Sequence, residues 1–194
     1  MTKIIGLTGG IGSGKTLVAN YLKSKGIPVY IADNEAKNIM DTKEVAQLVA
    51  DTFGNSIMSD GKVDRVKLSQ LVFNHPEKLQ KLNAIIHPIV KQNFENWLKN
   101  HQNFPFVIKE TAILFESGND EYCDSIITIT APLETRIQRV IERDKTSRES
   151  VLSRIKNQWS EEDKIAKSDF VIQNISVEDT KNQVDKILKL LKNQ

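Results

Sequence analysis

The sequence predicts an α/β fold, a parallel β-sheet flanked by helices. Two observations carry that reading. Short apolar runs of strand length alternate along the chain with segments of helical periodicity, the pattern of strands joined by crossover helices and covered on both faces. The first of these runs, "KIIGLT" at 3–8, meets a glycine cluster at once, as a buried strand does when it ends in a tight turn.

The elements follow in order. After the glycines, Val18, Tyr21 and Leu22 fall at helical spacing, and Gly26 and Pro28 stop that helix. "PVYIA" at 28–32 reads as a second strand. Val45, Leu48, Val49 and Phe53 mark a helix over 43–53. Pro76 and Pro88 stand where two helices can start, and Val90, Phe94, Trp97 and Leu98 share a face of the second, with Trp97 expected in the core. "FVIKE" at 106–110 and "SIITIT" at 125–130 are strands. Pro132 opens a helix running to about residue 144. "DFVIQ" at 169–173 is the last strand, and Val184, Ile187, Leu188 and Leu191 line the last helix. Between them, 144–167 is highly charged and poor in large apolar residues, which fits either a mobile segment or a solvated surface helix.

Composition narrows the class. At 194 residues the chain suits one sizeable domain. Its 39% hydrophobic and 27% charged residues are those of a soluble globular protein. A net charge of +2, scattered along the chain, does not point to nucleic acid. Cys123 is the single cysteine, so no internal disulfide is expected, in keeping with a reducing compartment. No apolar run approaches the roughly 18 residues that span a bilayer. The apolar N-terminus is broken by glycines and Lys15, unlike a signal peptide. The expectation is a cytoplasmic protein with no membrane partner.

The stretch "GLTGGIGSGKT" at 6–16 carries the chemistry. Gly9, Gly14, Lys15 and Thr16 satisfy G-x-x-x-x-G-K-[ST], after a predicted strand and before a predicted helix. A phosphate chain needs many donors at close range. Glycines let successive backbone N–H groups point inward, and the helix start adds its own amides and positive dipole end. Lys15 can reach the β and γ phosphates and the Thr16 hydroxyl can ligate Mg²⁺. Gly9, Gly10, Ile11, Gly12, Ser13, Gly14, Lys15, Thr16 and Leu17 are therefore the expected nucleotide-binding residues, with ATP or GTP and Mg²⁺ as cofactors. No N-K-x-D run supports guanine specificity, which disfavours a GTPase switch.

A kinase also needs a group that positions the acceptor hydroxyl and cations over the transferring phosphoryl. Asp33 ends the second predicted strand, and carboxyl strand ends face the ligand crevice of a parallel sheet. Its alternative role is an N-cap of the following helix. Arg136, Arg139 and Arg143 are spaced to share one helix face opposite Ile137, Val140 and Ile141, with Arg148 following in the charged segment. They are candidate phosphate-facing cations. A solvated basic face is the alternative, and it suits Arg136 better than Arg143. Glu110 and Glu116 flank "TAILF". Either can hold the water shell of Mg²⁺, sit as a surface acid, or pair with an arginine.

Taken together these segments resemble the dephospho-coenzyme A kinase family over nearly the whole chain. "GLTGGIGSGKT" is similar to its opening, where serine is more usual than Thr16. "ADNEA" is similar to its second-strand signature, with Asp33 at the aspartate thought to act as base. "FGNSIMSDGKVDRVKLSQLVF", "LNAIIHP", "AILFESG", "RIQRVIERD" and "SDFVIQN" resemble further family segments in the same order. The chain departs at Ile31, Glu110 and Ala112, where the family often has aspartate, aspartate and proline.

The resemblance implies transfer of the ATP γ-phosphoryl to the ribose 3′-hydroxyl of dephospho-coenzyme A, the last step of coenzyme A synthesis. It implies a P-loop core over about 1–58, 102–143 and 168–194, a helical acceptor-binding excursion over about 59–101, and a helical lid over about 144–167. It puts Lys15, Asp33, Arg139 and Arg143 in catalysis and Thr8, Asp33, Arg65 and His87 on the acceptor side. Thr16 and Glu110 would attend the metal. Asn174 matches the residue near the adenine of ATP, or is a turn residue after the last strand. His87 is either an acceptor ligand or an N-cap before Pro88. A nucleoside or nucleotide monophosphate kinase, and an ATP-dependent regulator without transfer activity, are the competing readings.

Overall fold

The computed structural model describes residues 2–73 and 75–192, with Phe73 by its backbone alone. The chain divides into two compact units, residues 1–31 with 101–194, and Ala32–Asn100.

The first unit begins with β1 (Lys3–Gly9), buried from Ile5 onward. α1 (Lys15–Ser24) follows and buries Val18, Ala19 and Leu22. The N–H of Ile27 returns to the Leu22 carbonyl at 3.1 Å, which closes the helix end before β2 (Val29–Ile31).

The second unit is helical and has its own core. α2 (Ala32–Met40) and α3 (Lys43–Phe53) lead through a short 3₁₀ turn to a hairpin of β3 (Met58–Ser59) and β4 (Lys62–Val63). The hairpin turns on Asp60 and Gly61, both at positive φ, 51° and 76°. That is the geometry for which an Asp-Gly pair is suited. Asp64 then caps α4 (Arg65–Phe73): its Oδ1 accepts from the N–H groups of Val66 and Lys67 at 3.0 and 3.1 Å. α5 (Pro76–Lys99) completes the unit. Ile39, Val45, Val49, Ile57, Leu82 and Ile86 belong to its core.

One expectation is corrected here. Pro88 does not start a helix but lies inside α5, which runs unbroken from Pro76. Proline removes one intrahelical donor and crowds the preceding turn. The helix continues because Leu82 and Ile86 before it, and Ile89 and Val90 after it, pack into the same core. His87 is consequently an interior residue of α5, not an N-cap.

The chain returns to the first unit with β5 (Phe106–Glu110) and β6 (Ser125–Thr130). α6 (Leu133–Asp144), α7 (Arg148–Lys156) and α8 (Glu161–Ala166) precede β7 (Phe170–Gln173) and α9 (Val177–Lys192). Five strands pair in the order β2-β5-β1-β6-β7, all parallel. Their register sets Leu7 beside Glu110, Ile31 beside Glu110, Gly9 beside Ile129 and Thr130 beside Gln173. All five strands therefore end at one edge, the edge from which ligand sites of parallel sheets are built. Ile5, Leu7, Ile108, Ile129 and Ile172 are wholly buried on the sheet, in one core with Val18 and Leu22 of α1 and Val184 and Leu188 of α9. Ile108→Ala is expected to lower stability by about 2–5 kcal/mol, measured as a shift in the urea-unfolding midpoint with an unchanged slope.

Candidate functional site

The loop between β1 and α1 supplies the site's backbone. Gly12 and Gly14 sit at positive φ, 78° and 100°. A side chain at Gly12 would strike the Arg136 backbone, and one at Gly14 would strike the Asn174 carboxamide. Glycine is needed at both places for conformation and for space. The Lys15 ammonium donates to the carbonyls of Gly9 at 2.9 Å and Gly10 at 3.4 Å, which holds it over the loop. The first turn of α1 contains no acidic residue. Its amides and dipole end are thus left to attract an anion. Thr16, second in the helix, is exposed.

Side chains from elsewhere fix the loop. The Ile11 N–H donates to Gln158 Oε1 at 2.9 Å, and the Ile11 carbonyl accepts from Arg136 Nε at 3.0 Å. Arg136 also pairs with Glu161 at 3.0 Å, and Glu161 Oε2 accepts from the Thr130 hydroxyl at 2.9 Å. Arg136 is only 4% exposed. The solvated-face alternative for Arg136 is thereby overturned: it is the buried member of the arginine row, and Arg143 is the exposed one. The reason is local. The Ile11 carbonyl and the Glu161 carboxylate supply the partners that a buried guanidinium requires.

The helix-start end of the loop is held by Asn174. Its Nδ2 donates to the Ser13 carbonyl at 2.8 Å, and its Oδ1 accepts from Thr180 at 3.0 Å. Its backbone carbonyl accepts from Arg139 Nη2 at 3.1 Å. Three polar atoms nearby are buried without a protein partner: Arg139 Nη1, Ser13 Oγ and Thr8 Oγ1. Buried donors of this kind cost free energy unless something satisfies them.

The remaining predicted residues are placed as follows. Glu110 ends β5 and is buried, at 5% exposure. Among the described residues no cluster of three or more His, Cys, Asp or Glu side chains forms a metal cage. Glu116 is neither a surface acid nor an arginine partner. It pairs with Lys164, a wholly buried lysine, at 2.8 Å. Arg143 makes a two-pronged pair with Asp144 at 2.7 and 3.1 Å, and Arg154 reaches the same carboxylate at 2.7 Å. The hydrogen bonds from Arg143, then those from Arg154, pull the Asp144 carboxyl down to about 2.

In the helical unit, Asp33 is exposed in the first turn of α2, two residues beyond the end of β2. With α2 starting at Ala32, it is not the N-cap. Arg65 donates to the Lys37 carbonyl at 3.2 Å and to the Asp41 carboxylate, joining α4 to α2. His87 is solvent-accessible on α5, where partial desolvation lowers its imidazole pKa.

Comparison with known proteins decides the family. A family model described as dephospho-CoA kinase matches residues 3–179. The chain belongs to the dephospho-CoA kinase family. A protein of that name from Fusobacterium nucleatum subsp. nucleatum is 45% identical over 190 residues, covering 97% of this chain and 98% of its own. A crystal structure from Thermus thermophilus superposes with a TM-score of 0.90 at 34% identity, covering 97% of both chains. A dephospho-CoA kinase from Campylobacter jejuni shares the fold, with a TM-score of 0.64, 24% identity, and coverage of 98% of this chain and 97% of its own. As a member of this kinase family the chain is a phosphotransferase enzyme.

Gln158, Glu161 and Lys164 were not foreseen. All three lie in the charged segment 144–167, where composition alone gives no sign that a glutamine reaches a loop amide or that a lysine is wholly buried.

Two outcomes are expected. Glu161→Ala leaves the Arg136 charge without its carboxylate and should cost about 3–5 kcal/mol, read from urea unfolding. The Asp144 carboxyl has a folded pKa near 2, below its ordinary value of 3.8. Its ion pairs therefore stabilise the fold fully above that ordinary value, and the contribution is lost as pH falls from 3.8 toward 2. In Asp144→Asn this part of the acid dependence should vanish, leaving a flatter stability curve in that window.

Proposed function

We propose that the chain transfers the γ-phosphoryl of ATP to the ribose 3′-hydroxyl of dephospho-coenzyme A, giving coenzyme A and ADP, as the last step of coenzyme A synthesis in the cytoplasm. The observation that carries this is the loop at 9–16, cramped at Gly12 and Gly14 and clamped at Ile11 and Ser13, in a chain of the dephospho-CoA kinase family. The backbone of Gly9 to Leu17 cradles the phosphates. Lys15 neutralises β and γ oxygens. The Thr16 hydroxyl, with Glu110 toward the water shell, would hold Mg²⁺, which would supply positive charge to the transferring phosphoryl when bound. The unpartnered Nη1 of Arg139 supports a phosphate contact there, and Arg143 is assigned to charge developing on the transferred group.

Asp33 is assigned the acceptor hydroxyl, which it orients and whose proton it accepts. Its position just past a strand that ends at the ligand edge supports this. Thr8, Arg65 and His87 are assigned to the acceptor side. The stretch 59–101 is assigned to acceptor binding and 144–167 to the lid. Asn174 is assigned to the nucleotide side, where its hold on Ser13 supports a role in shaping the loop.

ADP release measured with dephospho-coenzyme A against a panel of nucleosides and nucleoside monophosphates tests the acceptor. Release with the monophosphates alone would replace this reading with a monophosphate kinase. A positioned base contributes roughly 10²–10⁴-fold, so Asp33→Asn should lower kcat by about that factor while ATP affinity is kept. Full turnover in that variant removes the base assignment.

A further inference from the structure

Four residues of the 9–16 loop, Gly10 to Ser13, form a closed turn. The Ser13 N–H donates to the Gly10 carbonyl at 3.1 Å. Gly12, third in the turn, has φ 78°, while Ile11, second, is not at positive φ. That is the type II arrangement. Such a turn has a twin. Rotating the one peptide between its second and third residues gives type I, with the third residue returned to negative φ and the closing hydrogen bond kept. Glycine accepts both values, so backbone preference at Gly12 does not choose between them.

The two forms differ in the direction of that peptide. A trans peptide is planar, and its C=O and N–H point opposite ways. The Ile11 carbonyl and the Gly12 N–H belong to this one peptide. Turned one way it offers an anion an amide. Turned the other way it offers a carbonyl oxygen, which repels an anion.

Arg136 settles the direction. Its Nε donates to the Ile11 carbonyl at 3.0 Å, so the carbonyl is drawn toward α6 and the Gly12 N–H is turned away from it. That N–H has no acceptor among the described residues. Arg136 also fills the space around the turn: its guanidinium stands where a Cβ on Gly10 would lie, and its backbone where one on Gly12 would lie. Glu161 holds Nη1 at 3.0 Å, which ties the guanidinium in place. Ile11 is gripped twice more. Gln158 Oε1 takes its N–H at 2.9 Å, and its side chain packs on the cluster of Ile137, Val140 and Val151. The preceding peptide is set by other partners, with the Gly10 carbonyl accepting from Lys15 Nζ at 3.4 Å.

We infer that Arg136 is a positioning residue for phosphate binding: it holds the Ile11–Gly12 peptide so that the Gly12 N–H, and not the Ile11 carbonyl, faces the phosphates of the nucleotide. This rests on the loop being the nucleotide site proposed above. Arg136 acts through the loop and not as a cation on phosphate, because its charge is already paired with Glu161.

Two double variants separate the hydrogen bond from the charge. Glutamine carries its Nε2 as many bonds from the backbone as arginine carries Nε, and methionine puts a methyl group there. Arg136→Gln and Arg136→Met are each combined with Glu161→Gln, so that no buried charge is left alone. In calorimetric titration with Mg²⁺ and an imido analogue of ATP, the Met variant should bind roughly three- to tenfold more weakly than the Gln variant, the worth of one hydrogen bond. In steady state the KM for ATP should rise by the same factor in the Met variant, with the KM for dephospho-coenzyme A unchanged. Equal weakening in both variants would assign the effect to the guanidinium charge and overturn the inference, as would wild-type affinity in both. An equal rise in the two KM values would make the residue merely structural. The wild type decides the matter if neither double variant folds. Labelled with ¹⁵N-glycine, the chain has nine glycine amides to follow. The Gly12 signal should move as the analogue binds, and a Gly12 signal that stays in place while the analogue binds would overturn the inference. If the wild type binds no analogue at all, the nucleotide reading itself falls. If it binds and the Met and Gln variants agree, the positioning role falls alone.

Discussion

The buried guanidinium of Arg136 is the constraint on which the arrangement around the phosphate loop depends. A charge at 4% exposure is costly unless it is paired and hydrogen-bonded. Here the partners come from three places: the Ile11 carbonyl of the loop, the Glu161 carboxylate of α8, and, through Glu161, the Thr130 hydroxyl at the end of β6. Satisfying one cation therefore fixes the loop, the last turn of a core strand and the charged segment against each other. Gln158 closes the circuit by taking the Ile11 N–H. A movement of α8 away from the loop has to break the Arg136–Glu161 pair, so any movement of this region is energetically coupled to the 9–16 loop.

Much of this chain was legible in its sequence, and the reasons differ from element to element. The strands at 3–8, 106–110 and 125–130 are short apolar runs buried along most of their length, whereas the edge strand at 169–173 alternates in burial; the structure places all four in one parallel sheet. The phosphate loop is legible because its chemistry leaves few residue choices: Gly12 and Gly14 are forced by backbone angle and by contact. The hairpin at 58–63 was missed although Asp60-Gly61 is a strong turn signal, because its strands are two residues each and show no period. Pro88 was read as a helix start because the local rule outweighs evidence on the far side of the residue. What overrides the rule is tertiary, the shared core contacts of the two halves of α5. Arg136 and Lys164 were misread or unseen for the same reason. Spacing gives the helix face, but whether that face meets water or a buried carboxylate depends on partners remote in sequence, Glu161 for the one and Glu116 for the other.

The helical unit has a separate physical basis. Its core of Ile39, Val45, Val49, Ile57, Leu82 and Ile86 is formed by residues within Ala32–Asn100 alone. Short-range devices order it: the Asp60-Gly61 turn, the Asp64 cap and the Arg65–Asp41 pair. Asp33, Arg65 and His87, the residues proposed for the acceptor side, are all carried by the helices of this unit. The fold that this chain shares with its relatives therefore identifies the phosphate chemistry more readily than it identifies what receives the phosphate.

The two ends of the loop are braced by different chemistry, and the difference matters for a polyanion. At Ile11 the brace is a fully paired cation, whose charge is spent on Glu161 and a carbonyl. At Ser13 the brace is a neutral carboxamide, and beside it Arg139 holds Nη1 buried with no protein partner. The Lys15 ammonium lies between these two braces, on the Gly9 and Gly10 carbonyls, and the α1 dipole adds positive potential at the helix start. On the proposed function, a phosphate chain would meet different chemistry at the two ends of the loop, because the helix start adds its free amides and dipole end while the Ile11 end is fixed by a buried ion pair.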